Sequence, residues 1–317
     1  MLPARLVRTR LPALACLGAL TLAGCSAGGG TDPAAADDGE LAVVASFYPL
    51  QWLSEQIAGD QATVSSLTPA GAEPHEYELT PPDVAEVAEA DVVVHLSTLQ
   101  PSVDAAVRAQ AGDRAFDAAD SARLDLAFRA GEGDADAADA AEGAVTDPHF
   151  WHDPMRMADV GDALAGAMGR ADPDDAAAFT ANAAELRAQL GTLDEEFRAG
   201  LADCASRDIV TSHSAFGYLA EAFDLHQVGI SGLAPDTEPS PSALTDATDF
   251  VRAHHVSTIY FETLVSPEIA ATVARETGAQ SLQLDPIEGL TDTSQGSDYL
   301  EIMRANLADL RTGQQCS

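Results

Sequence analysis

From Leu41 onward, short apolar runs alternate with stretches of helical spacing. Leu41–Phe47, Thr63–Thr68, Asp91–Leu96 and Arg114–Phe116 are β-branched-rich or continuously apolar, and several stop near proline or glycine. Such runs predict strands. Gln51–Ile57 and Pro82–Ala88 have helical spacing between them. The alternation resumes with strands predicted at Asp208–His213, His226–Ser231, Ser257–Glu262 and Gln280–Leu284. Ala215–Phe223, Leu244–Ala253, Pro267–Thr277 and Ser297–Leu310 are the helical stretches of this second set. Strand–helix alternation implies right-handed βαβ units and parallel sheets.

The two sets are separated by a proline-free stretch from Asp174 to Ala202. Its residues Phe179, Leu186, Leu190, Leu193, Phe197 and Leu201 are spaced 7, 4, 3, 4 and 4 apart, which is one helical stripe. Asp172-Pro173-Asp174-Asp175 supplies the start signal. At 1.5 Å per residue such a helix is roughly 40 Å long. It can join two lobes, be a core helix of the second one, or do both. The expected fold class is therefore α/β: two lobes, each a four-stranded mostly parallel sheet flanked by helices, on either side of one long helix. The expected limits are 41–170, 171–203 and 204–317. In such folds ligands lie beyond the carboxyl ends of strands and between domains. Gly131 to Thr146, made of Ala, Asp, Glu and Gly with few other residues, reads as an acidic loop outside the core.

Composition narrows the partners. The 317 residues carry 51 Asp and Glu against 16 Lys and Arg, for a formal net charge of −35. Every one of the basic residues is arginine. A surface of this sign repels phosphate backbones, which argues against nucleic acid as a partner. It is compatible with cation capture, although a solvated acidic surface accounts for most of these carboxylates.

Arg5, Arg8 and Arg10 precede an apolar stretch, Leu11 to Leu22, that is too short for a membrane span of ~20 residues. It ends in Leu22-Ala23-Gly24-Cys25, which resembles the lipobox of bacterial lipoproteins. That resemblance implies a signal peptide over residues 1–25, with Cys25 as the lipidated first residue of the mature chain on the outer face of the cell membrane. Residues 26–40 then read as a flexible tether. With Cys16 removed and Cys25 acylated, Cys204 and Cys316 remain in an oxidising compartment and are expected to pair. In the chain-entropy account, closing a loop of this length contributes ~4–5 kcal/mol.

Three of the eight histidines stand at strand ends or beside prolines: His75, His149 and His213. Asp285 ends another strand and precedes Pro286. If the strand ends face one cleft, three imidazoles and a carboxylate converge there, a set suited to tetrahedral Zn²⁺. Spacing alone says little, because the four are spread over roughly 210 residues.

The surrounding residues say more. Pro74-His75-Glu76-Tyr77-Glu78-Leu79-Thr80-Pro81-Pro82-Asp83, Asp147-Pro148-His149-Phe150-Trp151-His152-Asp153-Pro154, His213 with Phe216-Gly217-Tyr218-Leu219, and Asp285-Pro286 with Gly289 occur in that order. Together with Ser46-Phe47-Tyr48-Pro49, they resemble the motifs of the zinc/manganese ABC-transporter solute-binding proteins (ZnuA/TroA-like, cluster A-I) from about residue 41 to the C-terminus. The resemblance implies two lobes on a rigid helix, with His75, His149, His213 and Asp285 as metal ligands. It implies Zn²⁺ carried as cargo to an ABC permease by a monomeric binding protein that is not an enzyme. Three histidines with one aspartate resemble the zinc branch, and a Mn²⁺ or Fe²⁺ carrier is the nearest alternative. A metal-dependent adhesin-like surface protein is a further one. A secreted metallohydrolase is disfavoured, since the chain has no His-Glu-x-x-His. Where zinc members often carry a histidine-rich loop, residues 131–146 have no histidine. His95 and His152 read as packing residues, and Glu76 and Glu78 as solvated or supporting groups rather than ligands.

Overall fold

The computed structural model describes residues 40–128, 145–235 and 238–317. The expected signal peptide, Cys25, nearly all of the tether and all but the last two residues of the acidic loop lie outside these. The described chain begins with β1 (Leu41–Ala45), α1 (Tyr48–Ala58), β2 (Ala62–Ser66), α2 (Pro81–Glu89), β3 (Val92–His95), α3 (Pro101–Gln110), β4 (Ala115–Asp117) and the single turn α4 (Ala119–Ala122). β1 pairs in parallel with β2 and β3, and β3 with β4, giving the order β2-β1-β3-β4. β3 is buried along its whole length, the pattern expected of a strand covered on both faces.

Next come β5 (Ala127–Phe128) and β6 (Val145–Thr146), a two-residue antiparallel ladder. Val145 and Thr146 were expected to belong to the acidic loop. So short a pair carries no periodic signal, because its partners lie far apart in sequence. α5 (Pro154–Ala171) and α6 (Ala176–Gly200) follow. Asp153 starts α5: its carboxylate accepts the N–H groups of Met155 at 2.8 Å and Arg156 at 3.3 Å, with Pro154 in the first turn. The sequence reading did not anticipate α3 or α5. In α5, Gly161, Gly166 and Gly169 dilute the helical signal.

The remaining elements are β7 (Asp208–Thr211), α7 (Gly217–Ala222), β8 (His226–Gly229), α8 (Pro241–His254), β9 (Thr258–Phe261), α9 (Glu268–Thr277), β10 (Gln280–Gln283) and α10 (Tyr299–Gly313). Their strands form a second parallel sheet in the order β10-β9-β7-β8. The α/β class with two four-stranded sheets is thus the observed one. The predicted stripe of α6 is buried at Phe179, Leu186, Leu190, Leu193 and Phe197. α6 packs on α1 and α5 of the first half and on α10 of the second. The long helix is therefore both link and core. Glu40–Ser317 forms a single compact unit.

Cys204, just beyond α6, is disulfide-bonded to Cys316, 112 residues later. Among the described residues no helix is long and apolar enough to cross a membrane.

Candidate metal centre

Four side chains converge between the two halves: His75, His149, His213 and Glu288. His75 sits in the stretch between β2 and α2. Its backbone N–H donates to Glu73 Oε1 at 2.9 Å, and that of Glu76 to Oε2 at 3.2 Å. His149 precedes a 3₁₀ turn at Phe150–His152. Asp147 Oδ1 accepts its backbone N–H at 2.9 Å and faces its ring Nδ1 at 2.7 Å. His213 lies two residues beyond β7, where Glu262 receives both its backbone N–H, at 2.8 Å, and its Nδ1, at 2.5 Å. Glu288 follows β10. Two ligand-bearing loops thus come from each half of the chain.

The three Nε2 atoms meet one oxygen. Glu288 Oε1 is 3.3 Å from His75, 3.2 Å from His149 and 3.3 Å from His213. A tetrahedron with metal–ligand bonds of about 2.0–2.1 Å has edges of about 3.3–3.4 Å. The nitrogen-to-oxygen edges already have that length, and all four donor atoms lie within 4.8 Å of one another. The side chains of His149, His213 and Glu288 are fully buried, and that of His75 is 9% exposed. The site is therefore a preassembled, nearly dry donor set.

Its electrostatics follow from this burial. Burial alone would lower the pKa of His213, but the carboxylates of Glu262 and Glu288 outweigh it and raise the value well above 6.5. His149 is raised in the same way, burial being overcome by Asp147 and then Glu288. Burial pushes Glu288 up, yet His213, His149 and His75 hold its carboxyl well below the usual range. An Nδ1–H committed to a carboxylate fixes the tautomer and leaves the Nε2 lone pair for a cation. A cleft of about 430 Å³ opens beside Glu288, with Tyr48, Glu55 and Asp298 on its walls. Its charged side chains are all acidic.

The carboxylate expected to complete this set was that of Asp285, and it is not among the converging atoms. Its Oδ1 instead accepts the N–H of Ile287 at 2.8 Å and the hydroxyl of Thr263 at 3.2 Å. The acid that reaches the histidines is Glu288, three residues further along the same loop. It stood in the sequence as an unassigned position inside Asp285-Pro286-Ile287-Glu288-Gly289, the one signal that could have found it. Asp147 and Glu262 were also missed as supports for the rings. His152 is fully buried against Phe216, its ring centroid 4.6 Å away, and burial drives its pKa down to about 3. It is a packed neutral imidazole outside the converging set. His95 is buried too, with Nδ1 3.6 Å from Asp104.

This geometry meets an independent sequence finding. Residues 43–313 match the family model described as ZnuA, zinc-uptake complex component A, periplasmic. The chain belongs to the ZnuA family. Within it, the chain is 35% identical over 291 residues to the zinc-binding lipoprotein AdcA of Streptococcus pneumoniae strain R6. That match covers 86% of this chain and 56% of AdcA, so the chain spans little more than half the length of this relative. It is 33% identical over 281 residues to the high-affinity zinc uptake system protein ZnuA of Bacillus subtilis, covering 86% and 87% of the two.

Solved structures superpose well on this chain. The Zn(II)-bound ZnuA-like domain of S. pneumoniae AdcA is 33% identical, with a TM-score of 0.71 over 87% of this chain and 99% of that one. The laminin-binding protein Lmb of Streptococcus agalactiae, described as having adhesin and metal-transporting activity, is 33% identical with a TM-score of 0.75. It is covered over 99% of its chain and 86% of this one.

Proposed function

We propose that this protein captures Zn²⁺ between its two halves and delivers it to an ABC permease for zinc uptake. His75, His149, His213 and Glu288 are the four ligands. The observation that carries this reading is the meeting of three Nε2 atoms at 3.2–3.3 Å around one Glu288 oxygen. Three imidazoles and one carboxylate are a donor set for Zn²⁺, whereas a richer oxygen set suits Mn²⁺. Four protein donors also close the coordination sphere. A catalytic zinc keeps a position for water, so these residues hold cargo and do no hydrolysis.

Capture exchanges protons for metal. In the metal-free protein the carboxylates beside His149 and His213 favour the protonated form of these two rings, and Zn²⁺ must displace those protons. Asp147 and Glu262 then stabilise the partial charge on the coordinated rings. The similarity to the zinc-binding lipoprotein AdcA and to the high-affinity zinc uptake protein ZnuA supports the choice of zinc. The lipobox-like sequence at Cys25 supports a lipid anchor on the outer face of the membrane, where a permease partner is reached without diffusion through bulk solvent.

The test is a competition titration of chelator-stripped protein with Zn²⁺ and Mn²⁺, read by elemental analysis. One tight equivalent of Zn²⁺, resistant to excess Mn²⁺ and lost in His213→Ala, is the expected result. Tighter retention of Mn²⁺ would move the protein to the manganese carriers. Absence of stoichiometric metal would sink the proposal.

A further inference from the structure

The loop that presents Glu288 contains a backbone outlier. Ile287 has φ +58°, in the left-handed region. A β-branched residue rarely enters that region, and such conformations persist only where their surroundings over-determine them. Here the surroundings do so from three directions. Asp285 Oδ1 accepts the N–H of Ile287 at 2.8 Å. Asn306, on α10, accepts the N–H of Asp285 at 2.8 Å and donates to its carbonyl at 2.7 Å. Trp151, from the first half, donates its ring N–H to the carbonyl of Pro286 at 2.8 Å. Ile287 itself is fully buried in the core. The main chain of residues 285, 286 and 287 is thus held at every step leading to Glu288.

We infer that Asp285 is a positioning residue: its Oδ1 holds the left-handed turn at Ile287, so that the Glu288 carboxylate stays on the three imidazoles. Trp151 locks the same turn from across the cleft. A glutamate on a free loop must be ordered each time metal binds, at the expense of affinity. A glutamate on a clamped turn is already in place. This inference rests on the zinc reading above, and adds that the placement of the fourth ligand is set by Asp285, which is not itself among the converging donors.

Zinc affinity, measured by chelator competition on the purified protein, separates the possibilities. Asp285→Ala is expected to weaken zinc about tenfold, the scale of one lost hydrogen bond to a charged group. Asp285→Asn keeps the Oδ1 acceptor and is expected to stay within about twofold of wild type. In a Glu288→Gln background, Asp285→Ala should add less than about twofold, because its effect passes through Glu288. Trp151→Phe, which keeps the ring and loses the donor, should show the same dependence on Glu288 and serves if Asp285→Ala does not fold. Equal losses in Asp285→Asn and Asp285→Ala would overturn the inference, as would a full additional loss in the Glu288→Gln background. If wild type binds zinc and Glu288→Gln weakens it while Asp285→Ala changes nothing, the clamp alone fails. If wild type binds no zinc, the function and the clamp fall together.

Discussion

One carboxylate, that of Glu262, receives both the backbone N–H and the ring Nδ1 of His213, at 2.8 and 2.5 Å. The two residues are 49 positions apart, at the ends of neighbouring strands β7 and β9. Asp147 does the same for His149 over only two positions. Each acid fixes a ring's orientation and tautomer at once. Glu262→Gln should therefore lower zinc affinity by about 10–100-fold while leaving the fold intact. Isothermal titration beside a circular dichroism melt checks this, and an unchanged affinity would show that the ring is held by packing alone.

Acidity should act in opposite senses on the metal-free and metal-bound forms. His213 and His149 have raised pKa values in the metal-free fold. Their contribution to stability is complete below the unfolded value near 6.5 and is lost as pH rises through the folded values. Glu288 is depressed, so its contribution is present above its unfolded value and lost as pH falls through the folded one. The metal-free protein is thus best supported by this cluster at mildly acidic pH. Zinc needs deprotonated imidazoles, so the rise in Tm on adding Zn²⁺ should be small near pH ~5.5 and large near pH ~8. Paired melts with and without zinc at the two pH values test this. A zinc-induced shift independent of pH would contradict it.

The disulfide should matter to stability and not to metal. Cys204 and Cys316 are joined where the start of β7 and the end of α10 meet. His213 lies beyond the opposite, carboxyl end of β7. Cys204→Ser with Cys316→Ser is expected to remove about 4–5 kcal/mol and to lower Tm by about 10 °C or more. Zinc affinity at 25 °C should be unchanged. A large loss of affinity in the double variant would mean that the two ends of the sheet are coupled.

Gly191 lies inside α6, and a Cβ built there meets nothing within 4 Å. Gly191→Ala should stabilise the protein by about 0.5–1 kcal/mol through helix propensity and a less free unfolded chain. Urea unfolding measures it. Destabilisation would indicate that the position serves a bend or a contact of the helix.

The sequence by itself determined the eight core strands, the long helix and the three histidines. Each of these is encoded locally. Strand runs and the α6 stripe follow from the side-chain periods of 2 and 3.6, and the histidines stand at recognisable strand ends beside proline or within motifs. The disulfide was legible as well, because once the first two cysteines are assigned to the N-terminal segment only one pair is left. What the tertiary structure decided was which acid joins the three histidines. Asp285 and Glu288 share one loop and carry the same chemistry, so pattern cannot rank them. The backbone at Ile287 does, by turning into the left-handed region and sending the second acid inward while the first binds the turn. Glu262 was likewise invisible among 51 acidic residues, while Asp147 stood in a motif beside His149 without an assigned role. Only the pairing of β7 with β9 sets Glu262 beside His213, and that contact is a property of the folded sheet that no local stretch of sequence contains.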